Sequence, residues 1–213
     1  MKRKSIIFTT IISILFILSL TMSAFASTNA AVILIDPGHG GRYAGAISGS
    51  IVEKAVALKI ANKLKTKLTN AGYTVIMSRT GDTDFGGATL AEDINKRVVY
   101  INTKSYHALV SIHVNSASIT SRVGAMYQTG SSSAIGGNID FAKHLTTNVY
   151  SEDLAILRDT TSKGVKSLIE TARINNTNLL NDTYLDGLAT QYYNGILNAN
   201  ISTSGGGGGG GGF

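Results

Sequence analysis

The chain has 213 residues, 19 Lys and Arg against 13 Asp and Glu, a formal net charge of +6, and no cysteine. Without cysteine there can be no disulfide framework, thiolate zinc site or cysteine nucleophile, so any metal must be held by histidine and carboxylate. The basic residues are scattered rather than clustered, which leaves nucleic-acid binding without support.

In chain order, Lys2, Arg3 and Lys4 precede an apolar stretch from Ile6 to Leu20, and Ala24-Phe25-Ala26 ends it on small residues. This layout predicts a secretory signal peptide over 1–26, cleaved after Ala26. An uncleaved anchor competes with that reading, because the apolar stretch approaches bilayer-spanning length. Cleavage leaves 16 basic residues against 13 acidic ones, a net +3. The body, 27–201, has the length of one domain.

Ala31 to Asp36 is a short apolar run ending in Pro-Gly, the pattern of a buried strand entering a loop. Val56, Ile60, Leu64 and Leu68 then recur every four residues, predicting an amphipathic helix over 52–71 with Gly72 as its C-cap. Tyr73 to Arg79 reads as a strand. Thr89-Leu90-Ala91-Glu92 has the form of a capping box, with Leu90, Ile94, Val98 and Ile101 as the stripe behind it.

Ala108 to Asn115 and Gly124 to Thr129 read as strands, Ser131 to Asn138 as a loop and Ile139 to Tyr150 as a helix. Ser167 to Thr171 is expected to be a short buried strand, and Tyr184 to Ala199 the final helix. Strands alternating with helices imply crossover connections, so the expected fold is a single α/β domain. Its sheet should be mainly parallel, though mixed, twisted, and flanked by helices on both faces. Residues 202–213 comprise Ser202-Thr203-Ser204, eight glycines and Phe213, a Ser/Gly-rich flexible tail.

Sites in open α/β sheets form beyond the carboxyl ends of strands. There the sequence places Asp36 and His39, then His113 and Asn115, then Glu170, while Glu53 opens the long helix. Each has an ordinary explanation: a turn residue for His39, a core histidine for His113, a helix-dipole partner for Glu53, an ion pair for Glu170. Taken together, two imidazoles and a carboxylate match the ligand set of a catalytic zinc. The glycines around His39 would let metal and substrate approach the main chain. Asp36 is expected to stand behind the ligands and accept a histidine's second ring N–H. His107 and His144 show no partner pattern.

Four segments carry a family resemblance. "VILIDPGHGG" at 32–41 is followed by Gly45-Ala46 and Glu53-Lys54, then by "GYTVIMSRTGD" at 72–82, "LVSIHVNSA" at 109–117 and "SLIETARINN" at 167–176. From about Val32 to Leu197 the chain resembles the zinc-dependent N-acetylmuramoyl-L-alanine amidases of the type-3 group, bacterial cell-wall hydrolases. The resemblance implies that His39, Glu53 and His113 bind one zinc ion and that Glu170 is the catalytic carboxylate. It implies cleavage of the amide between N-acetylmuramic acid and the L-alanine of the stem peptide. Asn115 and Arg173 are candidate substrate contacts. Arg173 stands where many members carry an aromatic residue, and is also a candidate to pair with Glu170 and depress its pKa.

The expected partner is therefore peptidoglycan. The expected location is secreted, either extracellular or associated with the cell wall. The expected state is a monomer with no stable membrane insertion after signal cleavage. Two alternatives remain at this point: a catalytically weak or inactive peptidoglycan-binding module of the same fold, and a zinc peptidase acting within the stem peptide.

Overall fold

The computed structural model describes residues 31–120, 122–128, 135–161 and 164–201. The signal segment over 1–26 and the tail over 202–213 lie outside the described residues. Among those described, no helix is long and apolar enough to cross a membrane.

The first described element is strand β1 (Val32–Pro37), followed by a two-stranded ribbon, β2 (Ile47–Ser48) and β3 (Ile51–Val52), and helix α1 (Glu53–Asn70). Strand β4 (Thr74–Met77), helix α2 (Leu90–Asn102), β5 (Ala108–Asn115) and β6 (Gly124–Gln128) follow. Helix α3 (Ile135–Leu145), β7 (Val149–Glu152), the single turn α4 (Ala155–Arg158), β8 (Val165–Arg173), a 3-10 turn (Thr177–Leu180) and α5 (Asp182–Asn198) complete it.

Six strands form one sheet in the order β4-β1-β5-β8-β6-β7. The β1–β4, β1–β5, β5–β8 and β6–β7 pairs are parallel, and β6 runs antiparallel to β8. This is the expected α/β domain with a mostly parallel mixed sheet. Alternation along β1 sends Ile33 and Ile35 into the core beneath α1, α3 and α5, and Leu34 into a smaller core beneath α2 and α4. Helices thus cover both faces. Asp36 continues the Leu34 face just where that smaller core gives out.

Several boundaries differ from expectation. Gly72 does take a positive φ, +87°, beyond the end of α1. Thr89 accepts from the Glu92 amide, but the Glu92 carboxylate accepts from the Ala88 amide rather than from Thr89 itself. Helix α3 starts at Ile135, inside the segment expected to be a loop, and ends at Leu145. The Val149-Tyr150 run, β-branched and aromatic, pairs instead with Ala125 and Met126 as edge strand β7. Strand β8 extends at both ends of the expected stretch.

The stripe on α2 also needs correction. Val98 and Ile101 are buried, but Leu90 is 46% exposed, while Asp93 and Arg97 are 1% and 5% exposed. The N-terminal half of α2 lies over polar loop structure, so its inward face is charged.

Candidate metal centre

Strands β1 and β5 run side by side, with Asp36 opposite Ser111 and Pro37 opposite Ile112. The Gly38 amide donates to the Ile112 carbonyl at 2.9 Å, carrying the pairing one step past the strand. The chain then reverses at His39, whose φ is +58°. That value is uncommon outside glycine and stores of order 1–3 kcal/mol of strain. Such strain persists only where the surroundings fix it.

Strand β5 delivers His113 two residues past Ser111, on the same face of the sheet. A Cβ on Gly38 would stand 2.3 Å from His113 Cε1, so only glycine there leaves room for the ring. This refines the expected role of the glycines. Gly38 makes space for the second histidine, and Gly45, at φ +72°, makes space for the Glu53 carboxylate.

Glu53 is the first residue of α1 and is 4% exposed. Its Oε2 accepts from the Ala46 amide at 2.8 Å and its Oε1 from the Val114 amide at 3.0 Å. Oε1 also lies 2.9 Å from His113 Nδ1 and 3.2 Å from His39 Nε2. One ligand atom from each of His39, Glu53 and His113 falls within 4.8 Å of the others. The two rings meet edge to face, with centroids 5.0 Å apart.

Burial alone would raise the Glu53 pKa, but the hydrogen bonds and charges of His113 and His39 reverse this and hold it well below the carboxylate range. Burial likewise pushes His113 down, and the bond to Glu53 overcomes it, leaving the imidazole above its ordinary value. The pocket therefore holds a carboxylate anion flanked by two imidazoles, a donor set that suits a divalent ion such as zinc.

Glu170 is the ladder partner of His113 on β8. Its Oε2 is buried with no hydrogen-bond partner among the described residues. Burial, helped by the negative charge of Glu53 and opposed by His113, pushes its pKa up to about 7. A cavity of about 160 Å³ adjoins the centre, bounded by His39 and His113 and by Leu90, Ile94, Leu154 and Ile156.

A family model described as N-acetylmuramoyl-L-alanine amidase (Amidase_3) matches residues 33–198. The chain belongs to this amidase family. The germination-specific N-acetylmuramoyl-L-alanine amidase of Bacillus subtilis strain 168 is 29% identical over 191 residues, covering 78% of each chain. The solved N-acetylmuramoyl-L-alanine amidase from Clostridium difficile 630 is similar at a TM-score of 0.67 and 26% identity, covering 83% of this chain and 100% of that one. The CwlD amidase from Clostridioides difficile, solved in complex with the GerS lipoprotein, has a TM-score of 0.68 at 23% identity, covering 80% and 98%; that likeness is one of fold.

In this amidase Asp36 does not act as expected. Its carboxylate accepts from Ser78, Ser111 and Arg97, and no hydrogen bond joins it to either histidine. The register explains this, because Asp36 sits beside Ser111, two residues short of His113. Burial opposes the ionised form, but Arg97 and the two hydroxyls outweigh it and lower the pKa.

The anticipated depression of Glu170 by Arg173 is also absent, since Glu170 is raised and Arg173 donates to the Ile119 carbonyl. Asn115 donates to the Arg122 carbonyl and accepts from the Ser116 amide, so both side chains brace the chain leaving β5. His107 is a structural residue, its Nδ1 accepting from the Val32 amide at 2.9 Å.

Arg79 and Arg97 were missed from sequence. Arg79, 4% exposed, donates to the carbonyls of Pro37, Gly38, Lys54 and Gly81. A signal for Arg97 was available: Asp93 and Arg97, four apart, share one helical face with Leu90 and Ile101, so a charged pair interrupts the apolar stripe.

Proposed function

We propose that this domain is a secreted, zinc-dependent peptidoglycan hydrolase that cleaves the amide between N-acetylmuramic acid and the L-alanine of the stem peptide. The carrying observation is the convergence of His39, Glu53 and His113 beside Glu170, whose buried Oε2 has no hydrogen-bond partner among the described residues. His39, Glu53 and His113 would hold one zinc ion. Zinc in such a set supplies a bound water of lowered pKa and Lewis-acid polarisation of a carbonyl.

Glu170 supplies the proton handling. It takes a proton from the attacking water as the oxygen bonds to the lactyl carbonyl carbon. It then delivers that proton to the alanine nitrogen as the C–N bond breaks, so that a neutral amine departs. In the metal-free protein burial raises this carboxyl above its ordinary range, the direction that a proton-carrying group needs. The amide hydrogen bonds to Glu53 keep that carboxylate oriented as a ligand, leaving Glu170 as the acid and base. Asn115 and Arg173 would act on substrate through the turn they brace. The segment over 1–26 would direct export and be removed, and the cell wall is the expected location.

Digestion of defined muropeptides and purified peptidoglycan tests this reading. The expected products are free L-alanine amino termini and lactyl-ended glycans without peptide, lost on chelation and restored by zinc. Binding to the wall without any such release would overturn catalysis. Cleavage within the stem peptide would make the protein a zinc peptidase.

A further inference from the structure

We propose that Arg97 is the positioning residue of the metal centre: its guanidinium fixes the left-handed backbone of His39 and so aims that ring at Glu53 and His113. The inference rests on the zinc reading above and concerns the protein's own residues.

Arg97 reaches from α2 across the exit of β1. Its Nη1 donates to Asp36 Oδ1 at 2.9 Å and to the Pro37 carbonyl at 2.8 Å, and its Nη2 donates to the His39 carbonyl at 2.6 Å. Two carbonyls two residues apart thus converge on one planar fork. The Pro37 and His39 carbonyls converge in this way because the backbone turns sharply between them, with φ +58° at His39. Arg79 also grips this loop, through the Pro37 and Gly38 carbonyls, but Arg97 is the guanidinium bonded to the backbone of His39 itself.

The fork is itself held rigidly. Asp36, which compensates its charge, is fixed by Ser78 and Ser111. The Phe85 ring lies 4.8 Å from the guanidinium carbon, and Asp93, one turn earlier on α2, accepts from the Phe85 amide. Lysine could keep the charge beside Asp36, but an ammonium cannot reproduce a planar fork spanning a carboxylate and two carbonyls. The hydrogen bonds of Arg97 go to Asp36 and to the Pro37 and His39 carbonyls, none of them a proposed ligand atom. Its effect passes through the main chain.

The test measures metal binding rather than turnover. Wild-type protein and Arg97→Lys are titrated with zinc against a chromophoric chelator, and their cobalt(II) visible spectra are recorded alongside circular dichroism and thermal melts. The expected result is a folded Arg97→Lys protein whose zinc affinity is weaker by about 10–100-fold, the range seen when a ligand's supporting partner is lost, with a shifted cobalt spectrum. Unchanged affinity and spectrum would overturn the proposal.

If Arg97→Lys fails to fold, the double variant Asp36→Asn with Arg97→Met takes its place in the same titration. That pair removes the fork and its counter-charge together and so avoids stranding a buried anion. The same weakening is expected there, and its absence is equally fatal. A wild-type protein that takes up no zinc would remove both this proposal and the zinc reading. Wild-type binding matched by whichever variant is titrated would remove this proposal alone.

Discussion

Glu170 and His113 are register partners on adjacent parallel strands, so the proposed acid-base group and a proposed ligand share one rung of the sheet. The rung fixes their spacing by backbone hydrogen bonding rather than by a loop. Glu170 has no partner for its buried Oε2 among the described residues, while the neighbouring carboxylate of Glu53 accepts from two backbone amides. Two acids close together thus differ sharply in proton affinity, which is how one site can hold both an anionic ligand and a proton carrier.

Replacing Glu170 by Ala is expected to lower turnover by at least about 10²-fold, the scale of a lost general acid-base group, while zinc stoichiometry stays unchanged. Metal analysis of the purified variant separates the two roles. Parallel loss of zinc would make Glu170 a ligand instead.

The raised pKa of Glu170 also has a thermodynamic signature. A carboxyl whose folded pKa, about 7, exceeds its ordinary 4.5 contributes stability that is complete below pH 4.5 and disappears as pH rises through 7. In metal-free protein, Glu170→Gln should therefore gain in melting temperature relative to wild type between pH 5 and pH 8. A difference that stays flat with pH, or narrows, contradicts the assignment.

His113→Ala is expected to lose at least about tenfold in zinc affinity, because a three-residue ligand set has little redundancy. Equilibrium dialysis measures it. Full metal occupancy in that variant would exclude His113 from the centre.

Gly38→Ala places a methyl group where the His113 ring now lies. Overpacking of this kind costs about 1–3 kcal/mol, and the soft direction is displacement of the ring. Zinc affinity should fall much further than thermal stability. A variant that binds zinc normally would show that the ring can move without consequence.

Lys63 and Lys67 on α1 pair with Asp182 and Asp186 on α5, with about half or more of each aspartate side chain open to solvent. Exposed pairs contribute about 0–1 kcal/mol, so Lys63→Ala should leave activity intact and cost no more than about 1 kcal/mol in denaturant unfolding. A larger loss would mark this helix contact as a principal support of the fold.

The sheet was legible in sequence wherever one periodicity dominated. Strand β5 matches its expected span, and α1 differs from expectation by one residue at each end. The failures came where local pattern was overruled. Helix α3 begins at Ile135, immediately before Gly136-Gly137, which disguised its start, and Val149 and Tyr150 fitted a continuing helix until pairing with β6 claimed them.

The three proposed ligands and Glu170 stood out because His and Glu at strand and helix ends are chemically conspicuous. Arg79 did not, because an arginine that serves carbonyl oxygens more than forty residues away leaves no short-range pattern, and Arg97 showed only as half of the Asp93/Arg97 pair that interrupts the α2 stripe. The partner of Asp36 was misjudged for a related reason. Register decides whether Ser111 or His113 lies beside it, and register is a property of the assembled sheet.

The centre draws its donors from a loop, a helix start and a strand, with Glu53 and His113 separated by 60 positions along the chain. In the denatured polypeptide that separation keeps them apart, so any cation capture by this set would follow the alignment of β1 with β5. A bound cation would then act as a latch on the finished sheet: at a free concentration a hundred times its dissociation constant it would add about 2.7 kcal/mol against unfolding. Survival at high temperature should accordingly track the supply of ion in the surroundings.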